Sequence, residues 1–203
     1  MMDERNPFST EDEFVSGIFQ NITVQGAELR GKVFEDCGFM GCSLADATLA
    51  DCKFVDCTFT RCNLSNMKLG RSRFAGTEFV ECKVLGMDWS RATWPRVAVG
   101  APLRFRQCIL NDSTFFGLAL EELVIEDCKA HGVDFREADL GRGNFQRTDF
   151  ANAMFGKTNL TEADFTGATN YSIDVFGNRI DRARFTRGDA LALLDSLGIE
   201  LVD

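Results

Sequence analysis

One histidine, three prolines and no run of 18 apolar residues are conspicuous shortages in a chain of 203 residues. The single histidine, His131, leaves no second imidazole for a metal site or a proton relay. It follows Ala130, an inward position in the pattern below, so it is expected to face solvent with no Ser or Cys nucleophile placed beside it. No GxxxxGK[ST] loop exists to cradle phosphates. Neither catalysis nor a cofactor is expected. Without a long apolar run no membrane-spanning helix is expected. The polar, acidic start, Met1 to Pro7, is wrong for a secretory signal or transit peptide, so a cytoplasmic location is expected. Basic residues are also short, 22 against 31 acidic, for a net charge of −9. Residues 1–99 hold 14 acidic and 11 basic residues, and residues 100–203 hold 17 and 11. Direct nucleic-acid binding needs a basic surface and is not expected. An acidic molecule suits instead a protein surface built to hold DNA.

What the chain has in abundance is a period of five. From Phe14 through Phe19, Val24, Leu29, Phe34 and onward to Trp89 and Trp94, every fifth residue is large and apolar. After a break the series resumes at Phe105 and runs through Phe135 and Phe155 to Val175, Ile180 and Phe185, with only Ala130 and Asn170 departing. Sixteen of the 19 phenylalanines and both tryptophans fall in it. A period of five fits neither a helix nor a strand, so the chain must turn a corner every five residues. Two residues before each large position stands a small one, such as Ala27, Ser72, Thr77 or Ala138. A weaker period of twenty, in which Phe34, Phe54 and Phe74 share a column, makes four pentads one coil. The expected core includes Phe34, Phe54, Phe74, Trp89, Trp94, Phe135 and Phe155.

All eight cysteines, Cys37, Cys42, Cys52, Cys57, Cys62, Cys82, Cys108 and Cys128, occupy the small inward series, where a small hydrophobe is wanted. Consecutive cysteines lie on different faces and do not converge as four tetrahedral ligands, so no metal is expected. Cys42, Cys62 and Cys82 should stack within disulfide range, but parallel side chains and a reducing compartment argue against bonding.

The repeat suggests five segments: a polar stretch at 1–11, a stack at 12–94, a break at 95–104, a second stack at 105–185 and a tail at 186–203. Between Val99 and Phe105 the spacing is six, and Pro95 and Pro102 flank it. A helical turn or bulge with an interrupted ladder is expected there, either as a tolerated insertion or as a hinge. In the tail, Thr186 and Asp189 form a candidate capping box, helical leucine spacing follows, and Gly198 ends it. Ile199 to Val202 reads as a short strand. The tail should cap the open coil. Its surplus of apolar residues also suggests a two-fold dimer through Leu191, Leu194, Leu197, Ile199 and Leu201, with pure capping the alternative.

Register also sorts the charges. Glu122, Arg142, Glu162 and Arg182, twenty apart, should alternate in one ladder. Asp36 and Asp56 should stack as like charges beside Glu35. Asp36, Asp56, Asp134, Asp139, Asp149, Asp164 and Asp174, read as unpaired, are the candidates for contact with a partner, against the alternative of a merely solvated face.

This pattern resembles the pentapeptide-repeat family over about residues 14–185. The resemblance implies an all-β, right-handed quadrilateral β-helix with a C-terminal capping and dimerisation helix and a short strand. Met87-Asp88-Trp89 with Trp94-Pro95, Cys108 to Ser113, Asn170-Tyr171 with Ile173-Asp174, and Arg182 to Phe185 with Leu193 to Leu197 resemble the albicidin-resistance members. The tail also resembles the Qnr quinolone-resistance and microcin-immunity members. That likeness implies a homodimer acting on DNA gyrase, or on topoisomerase IV, as an acidic mimic of duplex DNA. No long insertion interrupts the pentads, which favours the loopless kind, and Arg179, Arg182, Arg184 and Arg187 dilute the acidity near the junction. A scaffold for some other protein is the alternative, since a fold does not set its function.

Overall fold

A computed structural model describes residues 7–95 and 100–199, and in it each pentad forms one side of a square. The pentad around Phe54 shows the path. Cys52 points in, Lys53 out and Phe54 in; Val55 lies half out, and Asp56 turns the corner with φ at 50°. Corner residues share this left-handed backbone along the whole rod, and most are not glycine. The conformation costs an L-residue roughly 1–2 kcal/mol, least for Asp and Asn. Corner aspartates such as Asp36, Asp46, Asp51 and Asp56 therefore have a backbone reason to be there.

Twenty residues on, the chain lies over itself. Phe14, Phe34, Phe54 and Phe74 pair in parallel register on the first face, and Phe19, Phe39, Phe59 and Phe79 on the second. Strands of two to four residues carry these two faces. The third face, through Val24, Leu44 and Leu64, is held by isolated bridges, and the fourth by Glu28–Arg30 on Thr48–Ala50 followed by bridges. The product is an all-β parallel solenoid, a quadrilateral β-helix of about eight turns with one short helix near its C-terminal end. Rings stack down its axis, Phe39 on Phe59 at 4.4 Å and Phe34 on Phe54 at 4.9 Å. Phe34, Phe54, Phe74, Trp89 and Phe135 are buried, whereas Trp94 and Phe155 are half-buried.

The small inward side chains also satisfy backbone groups that the ladder leaves over. Cys62 Sγ accepts the Cys42 N–H at 3.4 Å, Cys82 that of Cys62, Cys108 that of Cys82 and Cys128 that of Cys108. Each thiol donates in turn to a carbonyl, as Cys62 does to Phe39 at 3.4 Å. Ser72, Ser113 and Thr148 accept in the same way through hydroxyls. A buried N–H without an acceptor is costly, so Cys, Ser and Thr suit this position better than Ala. All eight cysteines are buried and free.

Four expectations need correction. Phe79 pairs with Phe105 and Lys83 with Ile109, so the break adds six residues to one coil rather than one. Counting modulo five hides a whole pentad. The ladder is unbroken on the second face, where Thr77–Val80 meets Leu103–Arg106; among the described residues, the first-face bridges stop at Thr93 and restart at Ala119. A 3₁₀ turn at Trp89–Arg91, capped by Asp88 accepting the Ser90 N–H, precedes the insertion.

Secondly, the frame slips in the last coil. Tyr171 and Ile173 are buried there, while Val175 is half-buried and Asn170 exposed. Thirdly, the N-terminal stretch is not merely polar. Phe8, 1% exposed, plugs the open first coil with edge contacts to Phe14, Phe19 and Phe34. Lastly, the tail helix Asp189–Leu197 is 3₁₀, and Gly188 caps it without a side-chain bond. Thr186 Oγ1 accepts the Gly167 N–H at 2.8 Å instead of forming a capping box. Gly198 ends the helix in the left-handed region as expected. Leu201 and most of the expected strand lie outside the described residues.

Candidate functional site

The seven candidate aspartates are not gathered on one surface. Asp36 and Asp56 stack at the corner between the first and second faces. Asp139 lies on the first face, Asp164 on the second, Asp149 on the third, and Asp134 and Asp174 on the fourth, two coils apart. Nor are most of them unpaired.

The five from the C-terminal stack all precede a large inward residue, and each accepts the backbone N–H two residues on. Asp134 Oδ1 takes that of Arg136 at 3.0 Å, Asp139 that of Gly141, Asp149 that of Ala151, Asp164 that of Thr166 and Asp174 that of Phe176. Asn63, Asn144 and Asn159 make the same bond, which marks it as a turn device. Asp134 also meets Arg136 at 2.8 Å, and that guanidinium holds its carboxyl below the usual range against the effect of burial. Burial raises Asp149 and Asp164, but hydrogen bonds outweigh it and leave both lowered. Asn170 and His131 supply them to Asp149, and Thr166 and Gln146 to Asp164. His131 is therefore not free: its Nε2 sits 2.8 Å from Asp149. Asp36 accepts from the Ser16 hydroxyl at 2.9 Å.

Charge is nevertheless segregated. Among the described residues the first face with its corner holds Asp12, Glu13, Glu35, Asp36, Asp56, Glu121, Glu122, Asp139, Glu162 and Asp181 against Lys32, Lys53, Arg73, Arg142, Arg179 and Arg182. The second and fourth faces hold nearly equal numbers of each sign, as in the Arg106–Glu126 and Arg147–Asp127 pairs. On the first face Arg142 meets Glu122 at 3.4 Å and Arg182 meets Glu162 at 3.5 Å, the ladder expected from the spacing. Glu121 bonds Arg142 as well. Among the described residues Glu35, Asp36 and Asp56 form no ion pair, and at the N-terminal end of this face Lys32 pairs with Asp12 at 2.7 Å.

Two family models match the chain, one for a pentapeptide repeat region at residues 32–103 and one for eight copies of the repeat at 131–167. Together they cover more than half of it. The chain belongs to the pentapeptide-repeat family.

Among solved structures, this pentapeptide-repeat chain is similar to two trypsin-treated forms of QnrB1, a plasmid-mediated fluoroquinolone resistance protein. One has a TM-score of 0.70 at 17% identity and covers 94% of this chain and 100% of that one. The other has 0.65 at 22% identity and covers 98% and 95%. HetL, involved in heterocyst differentiation regulation in the cyanobacterium Nostoc, follows at 0.58 and 15% identity, covering 86% and 87%. These likenesses concern the fold. No curated protein matches by sequence.

At the tail, a 3₁₀ helix has three residues per turn, so positions three apart eclipse. Leu191, Leu194 and Leu197 therefore form one edge, with Leu191 55% and Leu197 41% exposed. Leu193 and Ala192 pack on the core. Ile199 continues the exposed strip at 52%.

Proposed function

We propose that this pentapeptide-repeat protein is a non-enzymatic homodimer that binds DNA gyrase, or topoisomerase IV, and guards it against a toxin or drug of the albicidin, quinolone or microcin type. The observation that carries this reading is the segregation of acid onto the first face of a rod whose second and fourth faces are nearly balanced. A linear acidic edge on a stiff β-helix matches the charge and outline of duplex DNA, so it suits an enzyme surface evolved to grip DNA. Asp36, Asp56 and Glu35 are the first contacts to test. The Leu191, Leu194, Leu197 and Ile199 edge would join two rods at their C-terminal ends and lengthen the acidic line.

Gyrase supercoiling with purified protein titrated in, with and without a cleavage-stabilising poison, tests the proposal. Inhibition at micromolar dimer, or rescue from the poison, supports it, and Asp36→Lys with Asp56→Lys should abolish the effect. A folded dimer inactive on both topoisomerases supports a second reading, a scaffold for another protein. That reading draws on the five aspartates already used by their own turns.

A further inference from the structure

Outward side chains stack from coil to coil along this rod, so a glycine among them leaves a gap. Gly38 is such a position. It lies on the second face in the strand Gly38–Met40, paired with Ile18 in the coil before and with Thr58 in the coil after. Its φ is outside the left-handed region, so no turn demands a glycine there. A Cβ at this position would meet nothing within 4 Å.

Around the gap stand Ile18, 75% exposed, and Met40, 41% exposed, which faces the same way two residues on. Val15, 69% exposed, lies on the first-face side of the adjoining corner. Large apolar side chains are thus held in water on both sides of that corner. The corner itself carries Glu35 and Asp36, both exposed and without an ion pair among the described residues. The Ser16 hydroxyl donates to Asp36 Oδ2 at 2.9 Å, which draws the carboxylate toward the coil of Ile18 and leaves Oδ1 without a hydrogen bond among the described residues. Asp56 leans instead over Gly76, its Oδ1 filling the space a Cβ would need there. At the far corner of the second face stands Arg61, which turns a cation away from that side.

We infer that the gap over Gly38 receives one lysine or arginine side chain of a protein partner, its aliphatic stem on Ile18 and Met40 and its charge on Asp36. Long cationic side chains lay their stems along apolar surface while the head stays with polar groups, and a carboxylate oxygen gives that head a charge-assisted hydrogen bond. The inference rests on the reading that the acidic face binds gyrase or topoisomerase IV, and it deepens that reading. The enzyme meets this corner with a cation flanked by apolar surface. Phosphates of a duplex offer such a cation charge alone, so Val15, Ile18 and Met40 are what this rod adds to its likeness to DNA.

The test is the affinity of the full chain for purified gyrase and for topoisomerase IV, measured by surface plasmon resonance. Gly38→Val fills the gap with a residue suited to a strand and should weaken binding at least about tenfold, the factor that 1.4 kcal/mol represents, with the circular dichroism spectrum unchanged. Ile18→Ser, at an exposed position, should weaken it as well. Gly156→Val makes the matching change at an outward glycine on the fourth face, where a Cβ would meet only the Arg136 stem at 3.6 Å, and should leave binding unchanged. Wild-type binding that survives both Gly38→Val and Ile18→Ser overturns this inference while the gyrase reading stands, and so does an equal loss in Gly156→Val. A wild-type protein that binds neither enzyme overturns both.

Discussion

At the scale of single residues, two positions carry unusual weight. Phe8 lies outside the five-residue series yet closes the N-terminal end against three other phenylalanines. Phe8→Ala is expected to destabilise the fold by about 3–5 kcal/mol, read as a lowered denaturant midpoint. The thiols are the other case. Burial pushes Cys57 up to about 12, and the neighbouring thiol, Cys108 for Cys82 and Cys128 for Cys108, together with burial pushes those two to the same value. Unfolded thiols ionise near 9.0. Their contribution to stability is therefore complete below about pH 9 and lost as pH rises toward 12. Denaturation series from pH 8 to 11 should show it. Ellman's reagent should find no reactive thiol until the chain unfolds, because buried protonated sulfur is a poor nucleophile.

Elements here are single pentad sides, and their stability rests on side chains that finish the backbone bonding. The aspartate before each large residue was legible as outward and acidic, but its bond to the N–H two residues on was not, because a spacing pattern does not report a side-chain rotamer. Asp139→Ala should cost about 1 kcal/mol and Asp139→Asn much less, since an amide oxygen accepts equally well. Asp51, Asp127, Asp134, Asp149 and Asp164 are all lowered in the folded chain. A lowered carboxyl stabilises above its unfolded value and loses that contribution as pH falls through the folded one. Thermal stability should accordingly drop below about pH 4, where the unfolded carboxyls take up protons. The tail helix teaches a related lesson: leucine spacing announced a helix, but Thr186 had a better use on Gly167 than as its cap.

For the whole molecule, the decisive property is how charge is distributed around a square column. Net charge is a sum, and seven aspartates spread over four faces carry less meaning than one face with ten acids against six bases among the described residues. Oligomeric state belongs to this scale as well. Leu191→Glu with Leu197→Glu should shift sedimentation from dimer to monomer while the circular dichroism spectrum of the rod persists. Those leucines are exposed and contribute little to the chain's own core, whereas Leu193 packs against it and should not be touched.

The five-residue period by itself determined that the chain turns a corner every pentad and stacks in coils around a layered core, because each large inward residue must recur to keep a continuous dry column; the square β-helix is what the family resemblance added. It also located the cysteines and the Glu122–Arg142 and Glu162–Arg182 ladder, since stacked positions follow from counting by twenty. Counting failed where its modulus hid information: the six residues of the break read as one, and Asn170 stood out as a departure without showing that Tyr171 and Ile173 take the inward places. Only the tertiary structure decided which face gathers the acids, which aspartates their own turns consume, that the space over Gly38 stays open, and that Phe8 closes the end. Those outcomes depend on rotamers and on which coil lies over which, and neither is encoded in a periodicity.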